Sequence, residues 1–448
     1  MNIHTRAPSI DAIDPSRLLR VGQWLEQQVE VNRLAGGSVL VGHRGECAYF
    51  HAAGIAGVES LSPQLNSDGA QTGASRAFTR DTVVRLYSMT KPVTSVAAMM
   101  LYEQGKFQLD DPIARYLPAF ADMQVWSGDG QLTTPEQLQR HTTPAQSLIS
   151  VRQLLNHTSG LTYSFMQASP VDQLYRDRGV VFPGAPLSLE AMVDKLAQLP
   201  LLCQPGTQWN YSVASDVLGR LIEVWSGQTL SDFFENQIFA PLSMHSTGFH
   251  VKPKDVPHFA DLYGPAAGGE LGSVAAAASG AVPDCANSAL APPIALDVRA
   301  SSSFLNAPAL YSGGGGLVGS IDDYARFCQC LLNGGQLDNV RLLGRKSVEY
   351  MRKNHLPGNR DIASMGQATW SETSYHGIGF GLGFAVVLDP VLAGIMSSAG
   401  EHHWGGAAST FFWIDPAEEL YAILLTQLYP SSSYPLRTEL RTAVYQAL

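Results

Sequence analysis

The chain has 448 residues, 45% of them hydrophobic and only 15% charged, against about 25% charged in an average soluble protein. With 39 acidic and 29 basic side chains the formal charge is −10, which excludes the basic footprint that nucleic-acid binding needs. No stretch approaches 18 consecutive apolar residues, so no membrane helix is predicted, while the length suits a large core built from more than one unit.

The first twenty residues lack the apolar stretch of a secretory signal. The five cysteines (Cys47, Cys203, Cys285, Cys328 and Cys330) are odd in number and scattered, which fits free thiols in a reducing cytoplasm better than a disulfide framework. Asp14-Pro15 supplies an N-cap and a first-turn proline for a helix predicted to reach about Leu34. Residues 38–41 and 48–51 read as a hairpin about Arg44-Gly45, and residues 59–80, rich in Ser, Gly, Asn and Gln, as a loop. Residues 83–87 form a short strand that feeds a helix, SMTKPVTSVAAMMLYEQG, ending at Gly105.

Helices are predicted after Ser150, from Ser188 through Ala197, and over 213–225 with a stop at Gly227. Residues 251–310 are rich in Ala, Pro, Ser and Gly and read as irregular. Ser320 caps a helix with Asp323 that runs to Leu332; residues 378–388, 409–414 and 421–426 are strands, and a helix from about Leu436 closes the chain. Strands at both ends and helices between them predict an α/β (α+β) fold: one antiparallel sheet assembled from both termini, residues 1–87 and 310–448, with a mainly helical insertion at 88–309 and a cleft between them.

Lysine is scarce: seven of the 29 basic residues, and only Lys91 has a serine three positions earlier. Pro92 keeps the helix from starting much before Ser88, which places that hydroxyl at the positive end of the helix. Lys91 lies on the same face, and burial there disfavours its ammonium, so a neutral amine beside a serine reads as a base beside a nucleophile. On spacing alone the pair also reads as a serine N-cap with a solvated lysine one turn on.

SMTK at 88–91, LLNHTSGL at 154–161 and GGGGLVGSIDDYARF at 313–327 together resemble the serine β-lactamase and penicillin-binding-protein superfamily. Within it the chain looks most like the class C branch and the family VIII carboxylesterases. The resemblance implies a β-lactamase/D,D-peptidase-like fold and a tyrosine motif in the helical part, found as WNYSVASDVLGRL with Tyr211. It also implies a third motif on a strand beside the nucleophile, where EHHWGGAASTFFWI places Trp404, Gly405 and Gly406, with the amides of Ser88 and Ala407 as oxyanion hole. Two glycines would let a substrate approach the strand closely, and His403, with His402, would add donors beside it.

Two departures from the lactamase pattern carry chemistry. The third-motif lysine, which would pair with a β-lactam carboxylate, is missing, and Tyr211-Ser212-Val213 replaces Tyr-x-Asn. Both favour a neutral small-molecule ester over a penicillin. The resemblance therefore implies a serine carboxylesterase working through an acyl-enzyme, with no metal or organic cofactor. A β-lactamase or D,D-peptidase, an acyltransferase with the same residues, and an inactive binding module stand as alternatives. The run Gly314-Gly315-Gly316-Leu317-Val318-Gly319 fits G-x-G-x-x-G but follows no hydrophobic strand, Gly377, Gly379, Gly381 and Gly383 read as one stripped strand face, and neither H-E-x-x-H nor G-x-S-x-G occurs.

Overall fold

The computed structural model describes residues 13–59, 74–181, 187–265, 291–366, 372 and 374–448; Cys285 lies outside them. Helix α1 (Pro15–Glu30) opens with the Asp14 carboxylate accepting the amides of Ser16 and Arg17. It stops short of the expected Leu34. Asn32 takes a φ of 62°, and the amides of Arg33 and Leu34 fold back onto the Gln28 carbonyl. Strands β1 (Gly36–His43) and β2 (Glu46–Glu59) outrun the expected hairpin, and Arg44 and Gly45 join them with φ of 51° and 85°. That is type I′ geometry, whose twist matches the strands. Within the segment read as a loop, β3 (Ala74–Ala77) pairs with the end of β2.

Strand β4 is only Val84–Arg85, and helix α2 follows at Thr90–Glu103, after which Gly105 has a φ of 72°. Capping boxes or caps at Ser150 and Ser188 start α3 (Val151–Leu155) and α4 (Leu189–Leu196), and α5 (Ala214–Ser226) stops at left-handed Gly227. The segment expected to be irregular contains a paired β5 (Leu262–Gly264) and β6 (Ile294–Asp297). Strand β7 (Val318–Gly319) pairs with β4, and α6 (Ile321–Leu332) starts on the Ser320 cap.

The expected single strand at 378–388 is two, β8 (Ile378–Phe380) and β9 (Ala385–Val387), turned back on each other. The alternating glycines mark that hairpin rather than one strand face. Gly383 has a φ of 108°, and a Cβ there would lie 2.2 Å from Ser95 Oγ on α2. Strands β10 (His402–Gly405), β11 (Phe411–Asp415) and β12 (Leu420–Thr426) follow, then α7 (Leu436–Tyr445).

One antiparallel sheet runs β8-β9-β10-β11-β12-β1-β2-β3, so strands from the two ends of the sequence meet at β12 and β1, where Val39 faces Leu424. Alternation assigns its two faces. Val39, Val41, Phe411, Trp413, Ala422 and Leu424 pack under α1 and α7, whereas Leu40, Trp404, Phe412, Ile414 and Ile423 join a larger core with α2, α5 and α6.

Two buried arginines tie the layers together. Arg85 on β4 is wholly buried, and all five of its guanidinium N–H groups have acceptors: Asp297 and Ser302, the Ala260 carbonyl, and Gln427 beyond β12. Arg441 on α7 reaches Glu401 Oε1 at 2.6 Å, with both side chains buried. Burial pushes the Glu401 carboxyl up, but Arg441 and His403 outweigh it and hold the pKa well below the usual carboxylate range. This pair contributes stability above the unfolded carboxyl pKa, lost as pH falls through the depressed folded value. Arg441→Met, which leaves Glu401 buried without its cation, is expected to cost about 3–5 kcal/mol at neutral pH. Urea denaturation with an unchanged m-value would measure it.

Candidate active site

After β4 the chain makes a 3₁₀ turn, Tyr87–Met89, before α2 begins, so Ser88 sits in that turn and not in the helix proper. Tyr87 holds a φ of 45°, a conformation costly for a bulky residue, and its ring packs edge-on against Phe304 at 6.2 Å. Pro92 occupies the third position of α2, where its missing N–H would have had no helical partner. Residues 90–101 of this helix are all buried, so Lys91 enters the core with its backbone.

Lys91 is 1% exposed. Its Nζ donates to Ser88 Oγ at 3.1 Å and to the Gly314 carbonyl at 2.7 Å. The Tyr211 ring centroid lies 4.5 Å from it and the Tyr163 centroid 5.3 Å. Burial brings the amine down to about 7, against the opposing pull of the Asp216 carboxylate.

Tyr211 stands on the loop before α5, and its hydroxyl donates to Ser88 Oγ at 2.7 Å. Trp404 Nε1 donates to the same hydroxyl at 3.4 Å. Burial pushes the Tyr211 phenol well up despite its hydrogen bonds with Ser88 and Trp404, so it stays protonated at neutral pH. Nearby His157 is held neutral by burial and then by the charge of Lys91. Ser88 and Lys91, read from one motif, and Tyr211, read from another, thus meet around one oxygen.

The third-motif strand β10 packs beside the Tyr87–Met89 turn, but its side chains divide between the two faces of the sheet. Trp404 faces Tyr211. His403 faces the other way, with Nδ1 2.9 Å from Glu401 Oε1 and its ring against Phe411. His402 shares the Trp404 face but is buried against Phe384. His403 is therefore not brought to Ser88; adjacent strand residues point to opposite sides.

The two glycines also have a packing role. A Cβ on Gly405 would lie 2.5 Å from Arg437 Nη2, and one on Gly406 would lie 2.3 Å from the Leu86 carbonyl. They let α7 and the Tyr87–Met89 turn approach the strand closely. Ala407 follows in the turn, after Gly406 has given its amide to the Thr410 carbonyl at 2.8 Å.

Sequence reasoning missed Tyr163, Asp216 and the Gly314 carbonyl as neighbours of Lys91. The signal was present in the glycine run, read only as part of a resemblance. A Cβ on Gly313 would lie 2.5 Å from the Ser215 carbonyl, and one on Gly314 would lie 2.7 Å from Asp216 Oδ2 and 2.8 Å from the Tyr163 hydroxyl. Only a side-chain-free segment passes there. Among the described residues no group of His, Cys, Asp and Glu is placed to hold a metal ion, and no helix is long and apolar enough to cross a membrane.

Known proteins resemble the chain over most of its length. Esterase EstB of Burkholderia gladioli is 31% identical over 444 residues, 98% of either chain. Protein Rv1367c of Mycobacterium tuberculosis is 32% identical over 359 residues, 79% of each. Among solved structures, EstCE1, described as a hydrolase with promiscuous acyltransferase activity, superposes with a TM-score of 0.71 at 27% identity, covering 96% of this chain and 99% of that one. The Beta-lactamase family model matches residues 21–446, so the serine–lysine–tyrosine cluster stands in a chain that belongs to the Beta-lactamase family.

Proposed function

We propose that the protein is a serine carboxylesterase of the family VIII type that cleaves small to medium acyl esters through an acyl-enzyme at Ser88. The observation that carries the reading is the position of Ser88 Oγ between a buried amine at 3.1 Å and a buried phenol at 2.7 Å. Because burial keeps Tyr211 protonated and brings Lys91 near neutrality, Lys91 is the base and Tyr211 the relay. The Lys91 amine takes the Ser88 proton as Oγ attacks the ester carbonyl, whose oxygen turns toward the amides of Ser88 and Ala407. Tyr211 gives its proton to the departing alkoxide and is reprotonated from the Lys91 ammonium. Water then adds to the acyl carbon, its proton passes by way of Tyr211 to Lys91, and the Lys91 ammonium returns a proton to the departing Ser88 Oγ as the acid is released.

The choice of ester over β-lactam rests on charge. Trp404 holds the place of the third-motif lysine, and His403, the expected compensating donor, is turned to Glu401. The similarity to EstB, an esterase by name, agrees with that choice. Acyl transfer to an alcohol is the second reading, favoured by the description of EstCE1; adding an alcohol acceptor and analysing the products separates it from hydrolysis. The same proposal treats residues 88–309 as an insertion between two halves of the sheet domain. It also places the enzyme in the cytoplasm, where the four described thiols stay free.

Ser88→Ala is expected to lower p-nitrophenyl butyrate hydrolysis more than about 10³-fold with an unchanged melting profile, and the wild type to turn over nitrocefin far more slowly than the ester. Retained ester turnover in the variant, or a preference for nitrocefin, overturns the reading. With Lys91 as base, kcat/KM should rise about tenfold per pH unit at low pH, reach half its maximum near pH 7 and then level. A rate still climbing above about pH 10 would assign the base to the Tyr211 phenolate instead.

A further inference from the structure

Asp216 lies on the first turn of α5 and is buried. One carboxylate oxygen, Oδ1, accepts both the Ser312 hydroxyl and the Gly314 amide, the latter at 3.1 Å. The carbonyl of that same Gly314 accepts Lys91 Nζ at 2.7 Å. The other oxygen, Oδ2, occupies the space where a Cβ on Gly314 would stand. A buried carboxylate thus clamps the peptide that holds the amine, and the absence of a side chain on Gly314 is what lets it come so close. Nothing in the ester mechanism above uses this group.

We propose that Asp216 is a positioning residue for Lys91: through the Gly314 peptide it aims the amine at Ser88, and its charge sets how readily that amine holds a proton. The proposal rests on the reading of Ser88 and Lys91 as nucleophile and base. The groups facing Lys91 come from four directions: Ser88 from the turn before α2, Tyr211 and Asp216 from the start of α5, His157 and Tyr163 from the segment after α3, and the Gly314 carbonyl from the glycine run. His157 and Tyr163 are held neutral by burial, and so is Tyr211. Asp216 is therefore the group among these that brings negative charge to Lys91. Its own pKa is raised by burial and held down by Ser312, by Lys91 and by the Gly314 amide. The effect on Lys91 opposes that of burial and keeps the amine from falling further.

The test reads Ser88 directly: the rate at which a fluorophosphonate labels Ser88, located by mass spectrometry, as a function of pH. Asp216→Asn keeps an oxygen for Ser312 and Gly314 but removes the charge. Its acidic limb is expected to move down by about one pH unit or more relative to the wild type. Ser312→Ala keeps the charge but removes one of the two donors that fix the carboxylate, and is expected to label several-fold more slowly with its limb unmoved. An Asp216→Asn limb that superposes on the wild type's overturns the proposal. If that variant does not fold, an unchanged labelling rate in Ser312→Ala overturns it. A wild type that is not labelled at Ser88 at all would sink the esterase reading instead, so the two failures are distinct.

Discussion

The burial of one amine organises this protein. Lys91 can sit within reach of Ser88 only because α2 runs wholly inside the core, and an ammonium there has no water to solvate it. The surroundings supply what a buried amine needs and little more: a carbonyl at 2.7 Å, two aromatic rings within about 5 Å and one carboxylate held a peptide away. Each demand reaches back into sequence. The carbonyl must come from a backbone segment that passes against α2 and α5, hence the glycines at 313 and 314. The carboxylate must be near without forming an ion pair that would lock the proton on, hence Asp216 bonded to the intervening peptide and not to Nζ.

The same logic separates the roles of the amine and the phenol. Burial destabilises charge on both, but it moves their pKa values in opposite directions: the amine toward neutrality near physiological pH, the phenol away from ionisation. In the proposed mechanism the amine is therefore the base and the phenol the proton carrier, with Asp216 opposing part of the effect of burial on the amine. Two environments pushing two pKa values apart is what allows acid and base chemistry to share a single serine.

Much of the site was legible because it was local. Ser88 and Lys91 are three residues apart and Pro92 limits where the helix can start, whereas Tyr211 was reached through the family resemblance. What was not legible depends on contacts between distant segments. Asp216 matters through Gly314, ninety-eight positions away, and no spacing rule connects them. The glycines at 377–383 mimic a strand's period of two while making a hairpin, because glycine supplies turns as readily as it strips a face. The placement of His403 beside the nucleophile, by contrast, could have been rejected from sequence: if Trp404 faces Tyr211, its neighbour on the strand cannot. In the fold, the hairpin turn at Arg44-Gly45 and the caps at Ser150, Ser188 and Ser320 were readable for the same reason as the nucleophile: each is decided within a few residues.

The seam at β1 and β12 has a consequence for how the protein is made. Strand β1 is synthesised long before residues 420–426, which form one of its two neighbours in the sheet. At ordinary ribosomal speeds that gap is on the order of tens of seconds, during which Val39, Leu40 and Val41 lie on an open edge. Trp404 and Ala407 arrive equally late, so a growing chain already carrying Ser88, Lys91 and Tyr211 lacks the strand that packs beside the Tyr87–Met89 turn. Until then β1 lacks one of its two sheet partners and the Tyr211 hydroxyl lacks its Trp404 donor.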